Sequence, residues 1–559
     1  MTESQNHPSR AQISRAAIRR MHIEMRHLIT RGQYKPIGRS GEAMIDALLA
    51  INPEIYGSIS DPERVELTGL LYVFQRLPKG IEGCRYVTLI SREGYEHSSF
   101  VPIVPAKRRR NCYRIDDEQM FIEMTRGRSD VYDVLTHLTF MYHEAEKIGR
   151  RALSGRNQPN RTWRMLKKIV QHGSIEDPDD QQVAISYLSS LLGRTFDEVS
   201  DAVKSFDKAS GVHDLFTICY WLGRRSLEET IDSNDREISF SSTLREKLGL
   251  HTYGESWAHK IKSYLHERHL LDRKIHVISA NMHSVMNSLY GAQALGKLDH
   301  DLISLAEVLS DDDNADLRKE VKAYALAHGM TMLHDVSGTN ISVQIIDLCH
   351  LKSITLDHID VSSDIRCEDL IIVMDYAFGE QAYETMDELL KPYEFGDQKT
   401  QLQVASINIM GKAGILHGKK GDIMIPSAHV FEGSTDNYPF DNQIVVGDFE
   451  QSGLDVCEGP MITVLGTSLQ NRDILRYFLK SSWGAIGLEM EGAHYQKAIQ
   501  VASRIRNYID HDVTLRYAYY ASDNPLETGS TLASGSLGLD GVKPTYTITQ
   551  IILQRILKG

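Results

Sequence analysis

Residues 483–495 read W-G-A-I-G-L-E-M-E-G-A-H-Y. Ala485–Leu488 is an apolar run suited to a buried strand, and it ends on two carboxylates, Glu489 and Glu491, with Gly492 next. A helical pattern follows from Ala493 into Ala502. A carboxylate at the mouth of an apolar strand is costly to desolvate unless it faces a partner or a ligand. Ligands of α/β sheets bind there, outside the carboxyl ends of the strands. The stretch therefore predicts a strand, a turn and a helix within an α/β domain, with acids at the ligand-facing end.

The surrounding sequence has the matching texture. Short apolar runs at Lys274–Ala280, Asn340–Cys349, Leu370–Met374, Val404–Met410, Gly421–Pro426, Met461–Gly466 and Val513–Ala521 predict strands, with helical patterns between them and a closing helix over Thr547–Leu557. This alternation predicts an α/β fold, a mixed and largely parallel sheet flanked by helices, over residues 269–559. Residues 1–268 read as a mainly helical domain with a small β element near 85–105, and their sequence specifies no chemistry.

Composition narrows the classes. A chain of 559 residues exceeds one core and suits two or three domains. Hydrophobic residues at 42% and charged residues at 25% are globular values. The net charge of -13 argues against a general nucleic-acid binder. No apolar run approaches the roughly 18 residues that span a bilayer, and the polar, basic N-terminus has no signal-peptide core. Six cysteines are scattered without a C-x-x-C pair, which fits reduced thiols in a cytoplasm rather than a zinc site or disulfide frame. His137 and His143 are six residues apart, so they do not share the i, i+4 face of a helical zinc site. Residues 10–32 form a helix with a basic face. The run Lys107–Arg110 reads first as a solvated loop cluster, with a phosphate or an acidic partner as the alternative.

Four strand ends carry unusual residues: Asn281 and His283; Gly411-Lys412-Ala413-Gly414, read as a glycine turn; Glu489-Met490-Glu491-Gly492; and Ser522-Asp523-Asn524-Pro525. Each is weak alone, since an S-D-N-P turn is commonly just a turn or cap. In this order within one domain they are specific. M-G-K-A-G-I-L-H-G-K-K-G-D-I-M-I-P (410–426), L-E-M-E-G-A (488–493) and A-S-D-N-P-L-E-T-G (521–529) resemble the motifs of the nucleoside phosphorylase/nucleosidase superfamily, closest to its AMP nucleosidase branch. G-T-S-L-Q-N-R-D (466–473) is similar to the segment beside the base in that family.

The resemblance implies an enzyme that cleaves a purine N-glycosidic bond. Asp523 would be the general acid at the departing base, which requires it to be protonated at the working pH. Glu491 would accept hydrogen bonds from the ribose hydroxyls and favour the cationic sugar of the transition state. Met490 would floor the sugar. Gly411, Lys412 and Gly414 would approach a phosphate, with Lys412 standing where the family has Ser, Thr or His. Ser522, His283 and Glu380 complete the expected substrate-binding set. Glu380 also suits a helix N-terminus on dipole grounds, and Glu489 is left as a structural acid.

The segments S-A-N-M-H-S (279–284) and I-N-I-M (407–410) lack the arginines of phosphorylases, which favours water as the acceptor. Expected partners are a purine nucleotide or nucleoside, inorganic phosphate in the alternative reading, and further copies of the chain in a homo-oligomer. No nucleic acid, membrane, metal or cofactor is expected, and the expected compartment is the cytoplasm. The alternatives are a purine nucleoside phosphorylase and a nucleotide-binding sensor without catalysis.

Overall fold

The computed structural model describes residues 8–155, 157–172, 178–296, 301–353, 368–434, 436–527 and 537–558. The chain divides into two compact units, Met1–Leu250 with Ser468–Ile474, and His251–Thr467 with Leu475–Gly559. The helix Thr252–Glu267 thus falls in the second unit, whereas the sequence reading ends its first domain at residue 268.

The first unit is helical around a five-stranded sheet rather than a small β element. Its strands are β1 (Gln33–Tyr34), β2 (Tyr86–Ile90), β3 (Cys112–Arg114), β4 (Gln119–Glu123) and β5 (Glu237–Phe240), in the order β1-β5-β2-β4-β3. β5, β2 and β4 run parallel, and the two outer pairings are antiparallel. Strands of two to five residues are too short to display a period, so most of this sheet escapes a pattern reading.

The 26-residue helix Gly127–Ala152 is buried along most of its length. Lys147 and Glu144, both fully buried, pair at 2.9 Å. The Lys147 ammonium also donates to the carbonyls of Ile59 at 2.9 Å and Arg64 at 3.1 Å, and Glu144 accepts the Glu66 N–H at 2.8 Å. Burial nonetheless pushes Glu144 up to about 7 against the pull of Lys147. His137 and His143 are tied down in the same interior, His137 to the Tyr56 hydroxyl and His143 to the Ile59 carbonyl. The segment Ser468–Ile474 is part of this unit through Asn471, whose amide donates to Ser14 Oγ at 3.0 Å and the Ile51 carbonyl at 2.7 Å.

The second unit holds β6 (Lys274–Ser279), β7 (Met330–Leu333), β8 (Val343–Asp347), β9 (Leu370–Met374), a hairpin of β10 (Tyr393–Phe395) and β11 (Gln398–Thr400), β12 (Gln403–Ile415), β13 (Ile423–Phe431), β14 (Asn437–Pro439), β15 (Val456–Thr463), β16 (Gly487–Glu489) and β17 (Thr514–Asp523). Along one edge of β12 the parallel strand β6 pairs first, then antiparallel β16. β17 pairs parallel along the other edge and also antiparallel with β13. β13 and β15 are parallel, as are β15 and β16. The pairings β12–β17–β13–β15–β16–β12 therefore close a five-stranded barrel, from which β6, β9, β8 and β7 continue as an open wing. The sheet is mixed, with antiparallel pairings at β16, β14, β7 and β8, so the expectation of a largely parallel sheet holds only for its centre.

Apolar layers cover both faces. Trp257, Ile261, Met386, Leu389, Tyr495 and Ile499 pack on one side, and Val285, Leu289, Leu305, Ile548 and Ile552 on the other. β9, L-I-I-V-M, is buried on both faces, as expected for a strand between helical layers. No helix among the described residues is long and apolar enough to cross a membrane.

Replacing Lys147 by Met leaves the Glu144 carboxylate buried without its cation. The expected loss is about 3–5 kcal/mol, read from urea unfolding of the first unit. The exposed pair Lys204–Asp201 is the control, and Lys204→Met is expected to cost less than about 1 kcal/mol.

Candidate functional site

The register of β12 brings the sequence motifs together. Gly414 pairs with Leu488 of β16 on one edge and, past an irregularity between Ala413 and Gly414, with Asp523 of β17 on the other. The segments G-K-A-G, L-E-M-E-G and S-D-N-P thus meet at one rim of the barrel. Gly411–Gly414, expected as a turn, instead lies within the 13-residue strand β12. A side chain at Gly487 would press on Met424 Sδ at 2.5 Å and the Gly414 carbonyl at 2.8 Å, so the β12–β16 closure requires glycine there.

The two acids of the opening stretch divide their work. Glu489 is buried and receives the N–H groups of Glu491, at 2.6 Å, and Gly492, together with the Thr463 hydroxyl. Thr463 Oγ1 in turn accepts the Ala493 N–H at 2.8 Å. These bonds satisfy the first amides of the helix Gly492–Gln500, which otherwise lack intrahelical partners. A side chain at Gly492 would collide with the buried ring of His429. Burial first, and the Glu491 charge second, push Glu489 up to about 8 while its three donors pull it down.

Glu491 sits immediately before that helix, partly buried, and its Oε1 accepts the Gly379 N–H at 2.8 Å. Burial pushes it up to about 7, opposed by the amides of Gly379 and Met490 and by the charge of Lys412. Lys412 itself is exposed, and Met490 is partly buried. Asp523 is 5% exposed and its Oδ1 lies 2.6 Å from Ser522 Oγ. Ser522 Oγ is also 3.2 Å from the Ala413 carbonyl, which fixes the last residues of β17 against β12. The Asn524 amide donates to the Gly418 carbonyl at 2.9 Å.

The remaining expected residues are placed less centrally. Glu380 opens the helix Gln381–Leu390, with its carbonyl accepting the Tyr383 N–H at 3.1 Å. His283 is exposed on the first turn of the helix Met282–Ala294, its N–H bonded to the capping side chain of Asn281 at 3.0 Å. Of G-T-S-L-Q-N-R-D, the residues from Ser468 on belong to the first unit. Thr528 and Gly529 lie outside the described residues.

Other groups near the rim were not singled out from sequence. The Tyr495 hydroxyl is 3.0 Å from Ser279 Oγ at the end of β6. Tyr376, 39% exposed, follows β9, and its ring is 3.7 Å from where a side chain at Gly411 would begin. Below them His429 is fully buried, 3.3 Å from the Tyr519 hydroxyl and stacked on Phe440, and burial holds it down at about 3, hence neutral. Thr463 is the one hydroxyl inside the apolar run Met461–Gly466, a signal that marks it as polar but not as the end of a strand. Gly379 acts through its amide, which no residue pattern reveals.

Residues 42–324 and 305–558 match the model of a family described as a family of unknown function (DUF6909), and the chain belongs to that family. No curated protein matches the sequence. Among solved structures it is similar to the 5′-methylthioadenosine/S-adenosyl homocysteine nucleosidase of Campylobacter jejuni, at 10% identity and a TM-score of 0.31, over 51% of this chain and 99% of that one. It is similar to the futalosine hydrolase of Helicobacter pylori at 12% identity and a TM-score of 0.29, over 51% and 98% of the two chains. The AMP nucleosidase of Bacteroides thetaiotaomicron is similar at 13% identity and a TM-score of 0.29, over 54% and 99%.

Glu489 and Glu491 both hold protons more tightly folded than at the ordinary value of 4.5. Between 4.5 and about 8 the unfolded chain releases these protons first, so the stability of the second unit falls as pH rises through that window. Glu489→Gln is expected to flatten the fall, measured as the pH dependence of the melting temperature, whatever it does to the melting temperature itself.

Proposed function

We propose that the second unit hydrolyses the N-glycosidic bond of a purine nucleotide or nucleoside, releasing free base and ribose or ribose 5-phosphate. The reading rests on one observation above all: Gly414 has Leu488 on one side and Asp523 on the other, so the motif bearing Glu491 and the motif bearing Asp523 share one rim. The order of these motifs, similar to that of nucleosidases, supports the same reading.

In the proposed reaction the bond between the anomeric carbon and the base nitrogen breaks, and its electron pair leaves with the base. Asp523 gives its proton to the base, so the base departs neutral. Positive charge develops on the sugar, and Glu491 stabilises it while accepting the 2′- and 3′-hydroxyl protons as hydrogen bonds. One oxygen of Glu491 is already held by the Gly379 amide, which fixes the carboxylate before substrate arrives. Water adds to the anomeric carbon and its second proton passes to solvent or to Asp523. Met490 floors the sugar. Lys412, exposed beside Glu491, binds the 5′-phosphate of a nucleotide as a point charge.

The direct test incubates the chain with purine nucleosides and nucleotides, with and without phosphate, and identifies the products. Free base and ribose 5-phosphate formed without added phosphate are expected. Ribose 1-phosphate formed only with phosphate would replace hydrolysis by phosphorolysis, and binding without turnover would make the unit a sensor.

Asp523→Asn is expected to lower kcat by about 10²–10⁴-fold. Lys412→Ala is expected to raise KM for nucleotides about tenfold or more while leaving nucleosides unchanged. Equal effects on both substrates would remove Lys412 from the phosphate. Because Glu491 must be ionised to hold the sugar, kcat/KM is expected to rise with pH through about 7.

A further inference from the structure

With Asp523 on the side of the departing base, the acceptor reaches the anomeric carbon from the opposite face of the sugar. Along the rim, β17 with Asp523 lies on one side of β12, and β6 and then β9 lie on the other. The residues that stand at the ends of β6 and β9 therefore decide which acceptor enters.

The chain leaving β9, D-Y-A-F-G (375–379), is held amide by amide. The Asp375 N–H bonds the Ser342 carbonyl at 3.1 Å, and the Tyr376 N–H bonds Asp375 Oδ1 at 2.9 Å. The Ala377 backbone bonds the Tyr495 hydroxyl. The Phe378 N–H bonds Gln381 Oε1 at 3.1 Å, and the Gly379 N–H bonds Glu491 Oε1 at 2.8 Å. The segment that fixes the carboxylate meant for the sugar thus also fixes the backbone from which Tyr376 projects.

Tyr376 reaches across the end of β6. Its hydroxyl bonds the backbone of Asn281, two residues past that strand, and its ring lies 3.7 Å from where a side chain at Gly411 of β12 would begin. The ring therefore covers Gly411, which has no side chain of its own to compete for the space. Burial pushes the hydroxyl well above its ordinary value of 10, with the charge of Asp375 acting in the same direction, so the group is neutral at neutral pH. Tyr495, bonded to the same segment, feels the charges of both Glu491 and Asp375. A phosphate is stabilised by cations and by several convergent donors, whereas this end of the rim presents an aromatic ring between two carboxylates. A water molecule needs room for one oxygen only.

We infer that Tyr376 determines the acceptor, its ring filling the space over Gly411 that a phosphate would need and leaving the attack to water. This rests on the N-glycosidic reading of the second unit and deepens it. In the wild type a water oxygen bonds the anomeric carbon and a proton is released. With the ring removed, an oxygen of inorganic phosphate forms that bond instead, the base leaves with the Asp523 proton as before, and the product is a 1-phosphorylated sugar.

The test compares the full-length wild type with Tyr376→Ala and Tyr376→Phe on the purine nucleoside or nucleotide that the wild type cleaves fastest, at rising inorganic phosphate, with the sugar product identified. The wild type and Tyr376→Phe, which keeps the ring, are expected to release sugar without a 1-phosphate at every phosphate concentration. Tyr376→Ala is expected to raise the ratio of 1-phosphorylated to free sugar about tenfold or more. Should Tyr376→Ala fail to fold, Tyr376→Leu, which removes the outer ring and hydroxyl, is read in the same way. A folded Tyr376→Ala that still makes only the hydrolysis product, or that no longer cleaves at all, overturns the role of Tyr376 while leaving wild-type hydrolysis standing. A wild type that releases no base under any condition removes the N-glycosidic reading, and this inference falls with it.

Discussion

One strand has more neighbours than a strand has edges. β12 spends its first seven residues, Gln403–Ile409, beside β6, and its last two, Gly414 and Ile415, beside β16. The exchange of β6 for β16 along the same edge is possible because β6 stops at Ser279. Everything at the rim depends on that exchange. It closes the barrel, it ends the open wing, and it sets the stretch from Gly487 to Gly492 across β12 from the end of β17. The closure leaves no room at Gly487 for even a methyl group, so the constraint is written into the chain as a glycine.

Within that frame the helix Gly492–Gln500 is aimed by a carboxylate rather than by a conventional cap. Glu489 takes two of the first amides and the Thr463 hydroxyl, and Thr463 takes a third amide. Glu491 is thereby freed from capping its own helix and faces Gly379 and Lys412 instead. A pair of acids two residues apart serves two purposes because one is consumed by the backbone.

The second unit was legible where side-chain chemistry and backbone geometry agree. Leu370–Met374 is five apolar residues in a row and is a strand over that same range. Gly411–Gly414 misled because two glycines around a lysine suggest a turn, whereas β12 runs straight through them to reach β16. Glu491 and Asp523 were found as motif residues. Gly379, whose amide holds Glu491, offers only a backbone group and left no trace in the pattern. In the first unit the two-residue β1 and three-residue β3 are held by tertiary pairing, and nothing in sequences so short distinguishes them from loop. Lys107–Arg110 looked solvated because the two aspartates that draw Arg108 and Arg110 inward lie on a helix some twenty residues further along.

The placement of Ser468–Ile474 bears on how the chain can be divided. Asn471 satisfies Ser14 and the Ile51 carbonyl, and the Glu54 N–H bonds the Gln470 carbonyl at 3.1 Å. A single cut near Leu250 would leave the N-terminal fragment with these groups unsatisfied and the C-terminal fragment with a loose strap whose partners are gone. The first unit takes Ser468–Ile474 from within the sequence of the second, so dissecting the chain calls for co-expression of both pieces rather than study of either in isolation.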